Sequence, residues 1–211
     1  MVKLTVFDLH GTIVHEPELY RTVYSGTLTE LVKERRGESG LEILRQCREN
    51  YNGKGELALL ALNIPFREWA QRLIHAPLDL ISPRPTLVEQ IRKLSARKVI
   101  YTGSPTEMAE RVLGRLGFAP QDFDDIVGWK ESELLPVKWT CSSLVFETIL
   151  KKFSVVPSQA WAVGDDWEAD LLPAHSLGMK TTRIRKQGGS PSAWFPTVEE
   201  FLAQIEGGEN E

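Results

Sequence analysis

Residues 2–14 read VKLTVFDLHGTIV, and this stretch decides the fold. The β-branched and aromatic run 2–7 stops at Asp8, which is typical of a buried strand that ends in a polar loop. Further short apolar runs of this kind follow along the chain, at 98–101, 125–127, 160–163 and 180–184. The sequence therefore predicts a strand at each of these places.

Helical patterns fill the intervals between the predicted strands from about residue 83 onward. Apolar residues recur at helical spacing in segments 86–96, 106–116, 142–152 and 168–177, and Thr86 is predicted to cap the first of them. Alternation of strands and helices predicts an α/β fold with a parallel sheet. The loops after the strands then meet at the carboxyl edge, where open α/β sheets bind ligands.

Residues 16–81 interrupt this alternation. They carry helical patterns and no clear strand, so we predict a helical cap inserted after the first strand. The predicted domains are an α/β core of residues 1–15 and 82–205, the cap of residues 16–81 and a flexible tail of residues 206–211.

The composition is that of an ordinary globular chain of 211 residues, and its net charge of −4 comes without any basic block. This argues against nucleic acid as a general partner. No run reaches the roughly 18 apolar residues of a membrane span, and the N-terminal stretch lacks a signal-peptide pattern. Two isolated cysteines make no disulfide framework, which fits a reducing compartment, and we therefore expect a cytoplasmic protein. Because no apolar span is present in the sequence, we expect no membrane partner. The sequence indicates no oligomeric state.

Side chains capable of chemistry occur in four loops of the predicted core. They are Asp8, His10, Gly11 and Thr12 in the first loop, Thr102 in the second, Lys138 in the third, and Asp165, Asp166 and Asp170 in the fourth. Each alone has an ordinary structural explanation, such as a helix cap, a turn or a solvated lysine. Their chain order at the ends of predicted strands favours one shared site.

This combination resembles the haloacid dehalogenase-like (HAD) superfamily, whose members are mostly phosphohydrolases. The resemblance rests on residues 8–12 (DLHGT), Thr102-Gly103, Lys138 ahead of a helix, 164–170 (GDDWEAD) and 174–179 (AHSLGM). It implies a Rossmann-like parallel-sheet core with a small helical cap. It also implies magnesium-dependent hydrolysis of a small phosphorylated metabolite, which the cap sequence does not identify.

The residue types suit that reaction. Asp8 can attack phosphorus and form an aspartyl-phosphate. Mg²⁺ prefers oxygen ligands, which Asp8, Asp165 and the main-chain carbonyl of His10 would supply. Asp166 is an alternative to Asp165 as the metal ligand. If Asp165 binds the metal, we expect Asp166 and Asp170 to hold the ligand residues in position without contacting the metal themselves.

The phosphoryl oxygens need donors and positive charge. Thr102 offers a hydroxyl, Gly103 a main-chain N–H and Lys138 an ammonium group that stabilises the transition state. Lys130 is the alternative lysine. We prefer Lys138, because its interval to Asp165 leaves room for one helix and one strand.

Residue 10 departs from the family pattern, in which a second Asp acts as general acid and base. In a first interpretation His10 takes that role, since imidazole exchanges protons near neutral pH. In a second, the chain is a weakened phosphatase that binds a phosphometabolite. In a third, the chemistry is altered. A phosphonate hydrolase would need a cap lysine, for which Lys33 and Lys54 are the candidates. A dehalogenase is disfavoured, because a metal-free displacement at carbon would not need the acidic Gly-Asp-Asp cluster of residues 164–166.

Overall fold

The computed structural model describes residues 2–51, 55–130, 133, 138 and 142–207. Within this part of the chain six strands form one sheet in the order β3-β2-β1-β4-β5-β6, and all neighbouring pairs are parallel. The strands are β1 (Leu4–Phe7), β2 (Arg97–Pro105), β3 (Asp125–Trp129), β4 (Ala160–Gly164), β5 (Lys180–Ile184) and β6 (Ala193–Phe195). The predicted α/β fold with a parallel sheet is confirmed.

The helices are α1 (Pro17–Leu19), α2 (Thr27–Asn50), α3 (Ala58–Ala61), α4 (Phe66–His75), α5 (Pro85–Lys93), α6 (Thr106–Leu116), α7 (Leu144–Phe153), α8 (Leu172–Ser176) and α9 (Val198–Gly207). From α5 onward helices alternate with the strands up to β5, and β6 follows β5 directly. Shorter turns are π-helical at Tyr20–Gly26 and Trp167–Leu171, and 3₁₀-helical at Gly55–Leu57, Pro120–Asp122 and Pro157–Gln159.

The central strand β1 is buried along its whole length, as expected for a parallel strand with both sheet faces covered. On one face Leu4, Val6 and Tyr101 pack against Phe146 of α7. The rings of Tyr101 and Phe146 meet edge-on with centroids 5.3 Å apart. This packing fixes the end of β1, where the strand order reverses and where ligands bind in such sheets.

Three local features differ from the expectation. The first helix after the insertion begins at Pro85, which suits the first helical turn, and Thr86 is not its cap. Segment 168–177 forms a π-helical turn followed by α8, because Pro173 lacks an N–H and starts a new helix. Strand β2 continues past Tyr101 to Pro105, so Thr102 and Gly103 lie in the strand.

The chain divides into two compact units. One unit combines the residues up to His15 with Ser82–Lys130 and the chain from Pro136 onward, and it contains the sheet. The other contains Glu16–Ile81, here called the inserted unit. Its own core includes Leu31 and Val32 of α2 and Trp69 and Leu73 of α4, all buried.

The end of the chain falls partly outside the described residues. Of the predicted tail 206–211, residues 208–211 lie outside them, and residues 206 and 207 belong to α9. No helix in the described part of the chain combines the length and the apolar character needed to cross a bilayer.

Candidate active site

Asp8 stands directly after β1 at the carboxyl edge of the sheet. Its backbone N–H donates to the carbonyl of Val163 in β4 at 2.8 Å, which ties the start of the loop to the neighbouring strand. The side chain is buried, with 6% of its surface exposed. Its Oδ1 accepts a hydrogen bond from Lys138, whereas its buried Oδ2 finds no partner among the described residues. A buried carboxylate oxygen without a donor is costly unless a ligand satisfies it.

Lys138 brings a buried positive charge to Asp8. Its Nζ bonds Asp8, lies 2.7 Å from Oδ1 of Asp170 and donates to the carbonyl of Tyr101 at 3.1 Å. The ammonium also lies 5.3 Å from the centre of the Tyr101 ring, within range of a cation–π contact. Lys130, by contrast, is an exposed residue that follows β3. Of these two lysines, the structure therefore brings Lys138 to Asp8 and Asp170.

The loop after β4 holds three acids with three different surroundings. Asp170 is buried, and its Oδ2 accepts the backbone N–H groups of Asp165 and Asp166 at 3.1 and 3.0 Å. Asp166 caps the π-helical turn, because its Oδ1 accepts from Glu168 and Ala169. Asp165 is left to face the site.

Asp8, Asp165 and Asp170 form the acidic cluster of the site. Each offers a carboxylate oxygen, and these oxygens all lie within 4.8 Å of one another. Carboxylate oxygens at this spacing, one of them without a donor, fit a hard divalent cation. The sequence assigned Asp165 to the metal and Asp170 to a supporting position. The structure places Asp170 in the cluster while also bonding it to Lys138 and to the backbone.

Glycines make the close approach of these loops possible. Gly11 has φ +97°, and a Cβ there would lie 2.5 Å from the carboxyl carbon of Asp165. Likewise, a Cβ on Gly164 would lie 2.4 Å from Cβ of Asp170. Side chains at either position would push the acidic cluster apart.

Lys186 is a second cation of the site that the sequence analysis did not single out. Its Nζ pairs with Oδ2 of Asp165 at 2.5 Å, although the lysine side chain is 60% exposed. Burial alone would lower the pKa of Lys186, but the bond to Asp165 and the nearby acids raise it. The signal available in the sequence was position: Lys186 follows β5, the strand next to β4, at the same edge.

The buried charges influence one another's protonation. Burial, together with the charge of Asp170, raises the pKa of Asp8, against the opposing charge of Lys138. Burial also raises the pKa of Asp170. Burial alone would lower the pKa of Lys138, but Asp170 and Asp8 outweigh it and raise the pKa. The three carboxyl groups outnumber the two lysines, and the raised pKa values of Asp8 and Asp170 indicate that their full ionisation needs a further positive charge, such as a bound cation.

Thr102 and Gly103 lie near the carboxyl end of β2, beside β1. The Thr102 hydroxyl is buried and accepts the backbone N–H of Ser104 at 3.2 Å. As an acceptor it keeps its own proton for another oxygen. Gly103 is half-buried. Both therefore lie on the strand adjacent to Asp8, and their binding of phosphate stays a prediction.

His10 lies two residues beyond Asp8 in the same loop and is half-buried. It forms an isolated bridge with Val14, which closes the loop into a tight turn. Burial, followed by the positive charge of Lys138, lowers the pKa of His10 to about 3. The imidazole is therefore neutral at pH 7 in the protein alone, and in this form it accepts protons.

Comparison with known families completes the picture. A family model described as haloacid dehalogenase-like hydrolase matches residues 2–178. The chain belongs to this hydrolase family. HAD hydrolases are generally metal-dependent, in agreement with the buried acidic cluster. A comparison with curated proteins finds no match.

Solved structures of HAD proteins share the fold over nearly the whole chain. A HAD phosphatase from Thermococcus onnurineus is 21% identical with a TM-score of 0.60, and the alignment covers 98% of this chain and 99% of that chain. An L-2-haloacid dehalogenase from Xanthobacter autotrophicus is 14% identical with a TM-score of 0.61 and the same coverage. A predicted phosphoglycolate phosphatase from Haemophilus somnus 129pt is 17% identical with a TM-score of 0.63, covering 97% and 98%.

Proposed function

We propose that this HAD hydrolase cleaves small phosphate monoesters with Mg²⁺, through an aspartyl-phosphate on Asp8. One observation carries the proposal. The Asp8 carboxylate is buried, one of its oxygens is held by Lys138 and the other has no donor among the described residues, with Asp165 and Asp170 beside it. This is a nucleophile next to a place for a divalent cation.

The first step forms the covalent intermediate. A carboxylate oxygen of Asp8 bonds to phosphorus as the bond from phosphorus to the ester oxygen breaks. The leaving alcohol takes a proton from His10. The imidazole is neutral in the protein alone, and it becomes protonated for this step because the negative charge of the bound phosphate raises its pKa. Thr102, Gly103 and Lys138 hold the phosphoryl oxygens in this assignment.

The second step regenerates the enzyme. Water attacks the phosphorus of the aspartyl-phosphate while neutral His10 accepts a proton from that water, and inorganic phosphate leaves Asp8 free. Mg²⁺, held by Asp8, Asp165 and the carbonyl of His10, would offset the charge between the carboxylate and the phosphate. Asp170 orients Lys138 and the loop of Asp165, and Asp166 holds the turn that follows.

Other chemistries are weaker fits. A displacement at carbon by a dehalogenase would use Asp8 as its nucleophile, but without a metal it has no need of Asp165 and Asp170 beside that carboxylate. Of the lysines considered for a phosphonate hydrolase, Lys33 is exposed on α2, and Lys54 lies outside the described residues. A weakened phosphatase that retains the metal site is the second candidate, favoured by the histidine at position 10.

The test is turnover of p-nitrophenyl phosphate with and without Mg²⁺, in the wild type, in Asp8→Asn and in the control Asp125→Asn. Asp125 pairs with Lys152 at the surface, so its loss leaves the site intact. We expect Asp8→Asn to lose about 1,000-fold or more in kcat and the control to match the wild type. Equal turnover in Asp8→Asn and wild type overturns the nucleophile. Release of halide from a 2-haloacid without metal would favour the dehalogenase instead.

A further inference from the structure

The loop after Asp8, residues 9–14, depends on donors from elsewhere in the chain; we call it the Asp8 loop. Two of its backbone N–H groups bond within the loop: Gly11 donates to the carbonyl of Val14 at 2.7 Å, and Val14 donates to that of Leu9 at 2.9 Å. The carbonyls of Gly11, Thr12 and Ile13 accept from arginine side chains that come from distant parts of the sequence.

Arg185 serves the first two of these carbonyls. Its Nε donates to Gly11 at 2.9 Å, and its Nη2 reaches the carbonyl of Thr12 at 3.4 Å. The residue follows β5 directly and has φ +65°, an unfavourable conformation for a side chain of this size. Its own N–H donates to the carbonyl of Phe195 in β6 at 3.0 Å. The backbone of Arg185 is strained, and the residue is held by its side chain at Gly11 and by its N–H at Phe195. Strain of this kind often marks a functional constraint.

Arg84 serves the third carbonyl. Its Nη1 donates to Ile13 at 3.0 Å, and its Nη2 pairs with Glu199 of α9. Burial and the charge of Arg84 lower the pKa of Arg185, while Glu199 opposes that effect. Glu199 therefore allows two guanidinium groups to share one small region, and the three residues Arg84, Arg185 and Glu199 form what we call the arginine clamp.

The clamp is connected to the reacting groups through Gly11. There is no room for even one carbon between Gly11 and Asp165, since a Cβ would lie 2.5 Å from its carboxyl group. Any shift of the Gly11 carbonyl therefore changes the spacing of Asp8, His10 and Asp165. The hydrogen bonds of Arg185 and Arg84 to this loop go to its backbone carbonyls, and Arg84 also pairs with Glu199.

We propose that Arg185 and Arg84, balanced by Glu199, are positioning residues that hold the Asp8 loop in its working geometry. The assignment of their effect to catalysis rests on the proposed function, whereas the effect on the loop itself does not. A guanidinium group suits this task because its fork of donors is planar and rigid. Lysine offers one point charge on a flexible stem and cannot bond two successive carbonyls in a fixed geometry.

The experiment compares Arg185→Ala, Arg185→Lys and Glu199→Gln with the control Arg97→Ala, whose guanidinium pairs with Asp124 at the surface. Hydrogen exchange is measured on peptides covering residues 9–14. We expect exchange in the Asp8 loop to rise about tenfold or more in Arg185→Ala, less in Glu199→Gln, and not in the control. Unchanged loop exchange in Arg185→Ala overturns the proposal.

Kinetics supply the second readout. We expect kcat of Arg185→Ala to fall by about 10- to 100-fold with KM within about threefold of wild type, because geometry rather than substrate binding is lost. Added guanidinium should restore part of kcat, and Arg185→Lys should stay closer to Arg185→Ala than to wild type. A loss confined to KM, or no rescue together with full activity of Arg185→Lys, overturns it. A wild type without hydrolase activity refutes the proposed function, and loop exchange then still decides the clamp.

Discussion

The sheet edge and the inserted unit use the same kinds of charged side chain in opposite ways. At the sheet edge Lys138 and Asp8 are buried, with 8% and 6% of their side chains exposed. In the inserted unit Arg45 pairs with Glu42 and Glu49 along α2, and all three side chains are at least half exposed. Water screens the second set, so each pair contributes little. The first set is shielded from water, where each charge determines what its neighbours can do.

This difference teaches where function can be read from charge. A surface pair can be removed with little effect, because each partner regains water. A buried group cannot be removed without leaving its partners uncompensated. Substitutions in the buried cluster should therefore have the largest effects, and substitutions of surface pairs the smallest.

Replacing Lys138 should have the largest effect. In Lys138→Met the charge that faces both Asp8 and Asp170 is lost, and those buried acids repel one another without it. We expect kcat for p-nitrophenyl phosphate to fall by about 1,000-fold or more. Circular dichroism checks that the variant folds. Lys130→Met is the control, and a loss there with an active Lys138→Met would give the role to Lys130.

His10 is tested by the choice of leaving group. An alkyl alcohol needs a proton to leave, whereas p-nitrophenolate is a stable anion and needs none. We expect His10→Ala to lose about 100-fold in kcat on an alkyl phosphate and less on p-nitrophenyl phosphate. His10→Asp should be at least as active as wild type on both. If His10→Ala matches wild type on the alkyl phosphate, the acid–base role is wrong, and a very large gain in His10→Asp identifies a weakened phosphatase.

Lys186 is expected to weaken cation binding, since its ammonium group pairs with one of the carboxylates of the cluster. Replacing it in Lys186→Met removes this competing positive charge, so the affinity for Mg²⁺ or Mn²⁺ should rise by about three- to tenfold. Calorimetric titration of the protein with the metal alone measures this directly. Lys152→Met removes a surface lysine paired with Asp125 and should leave the affinity unchanged. A lower affinity in Lys186→Met would contradict the prediction.

The sequence predicted much of this arrangement, because strand periodicity and polar loop ends are local properties. The run 2–7, the loop after it and the acids after β4 were all visible as patterns. Strand β6 was missed, since three residues with an exposed Trp194 in the middle give no pattern of burial. The helix that follows was missed with it.

Contacts between loops were beyond the reach of sequence patterns. The pairing of Lys186 with Asp165 and the bonds from Arg185 to the Asp8 loop depend on how the chain turns after β5. For Asp170, sequence spacing placed the residue near Asp165. The spacing did not show whether the Asp170 carboxylate faces the metal, the backbone or Lys138. That depends on the position of Lys138, whose Nζ lies 2.7 Å from Oδ1 of Asp170.

The smallest effects concern stability and compare a buried acid of the core, Asp122, with an exposed acid of the inserted unit, Glu42. Asp122 accepts two hydrogen bonds from Arg92 at 2.8 Å and one from the N–H of Ala119 at 2.7 Å. The bond from Arg92 lowers the pKa of Asp122 below its ordinary value of 3.8. Because the pKa of Asp122 is lower in the folded protein than in the unfolded chain, its ionised form stabilises the fold at a pH above 3.8. This stabilisation is lost as the pH falls through the folded-state pKa.

We therefore expect Asp122→Asn to lose about 1 kcal/mol in the free energy of unfolding at pH 7. The difference in the free energy of unfolding between the variant and the wild type should shrink as the pH falls below 3.8. There Asp122 becomes protonated first in the unfolded chain and then, at lower pH, in the folded protein. In the inserted unit, Glu42→Gln removes a partner of Arg45 from the solvent-exposed face of α2. It should move the melting temperature by no more than about 1 °C. Denaturant unfolding from pH 3 to 7 measures both variants, and thermal melting at pH 7 gives the melting temperature of Glu42→Gln. A deficit of Asp122→Asn that stays constant across this range would contradict the pH linkage, and an equally large deficit in Glu42→Gln would show that burial does not separate the two kinds of pair.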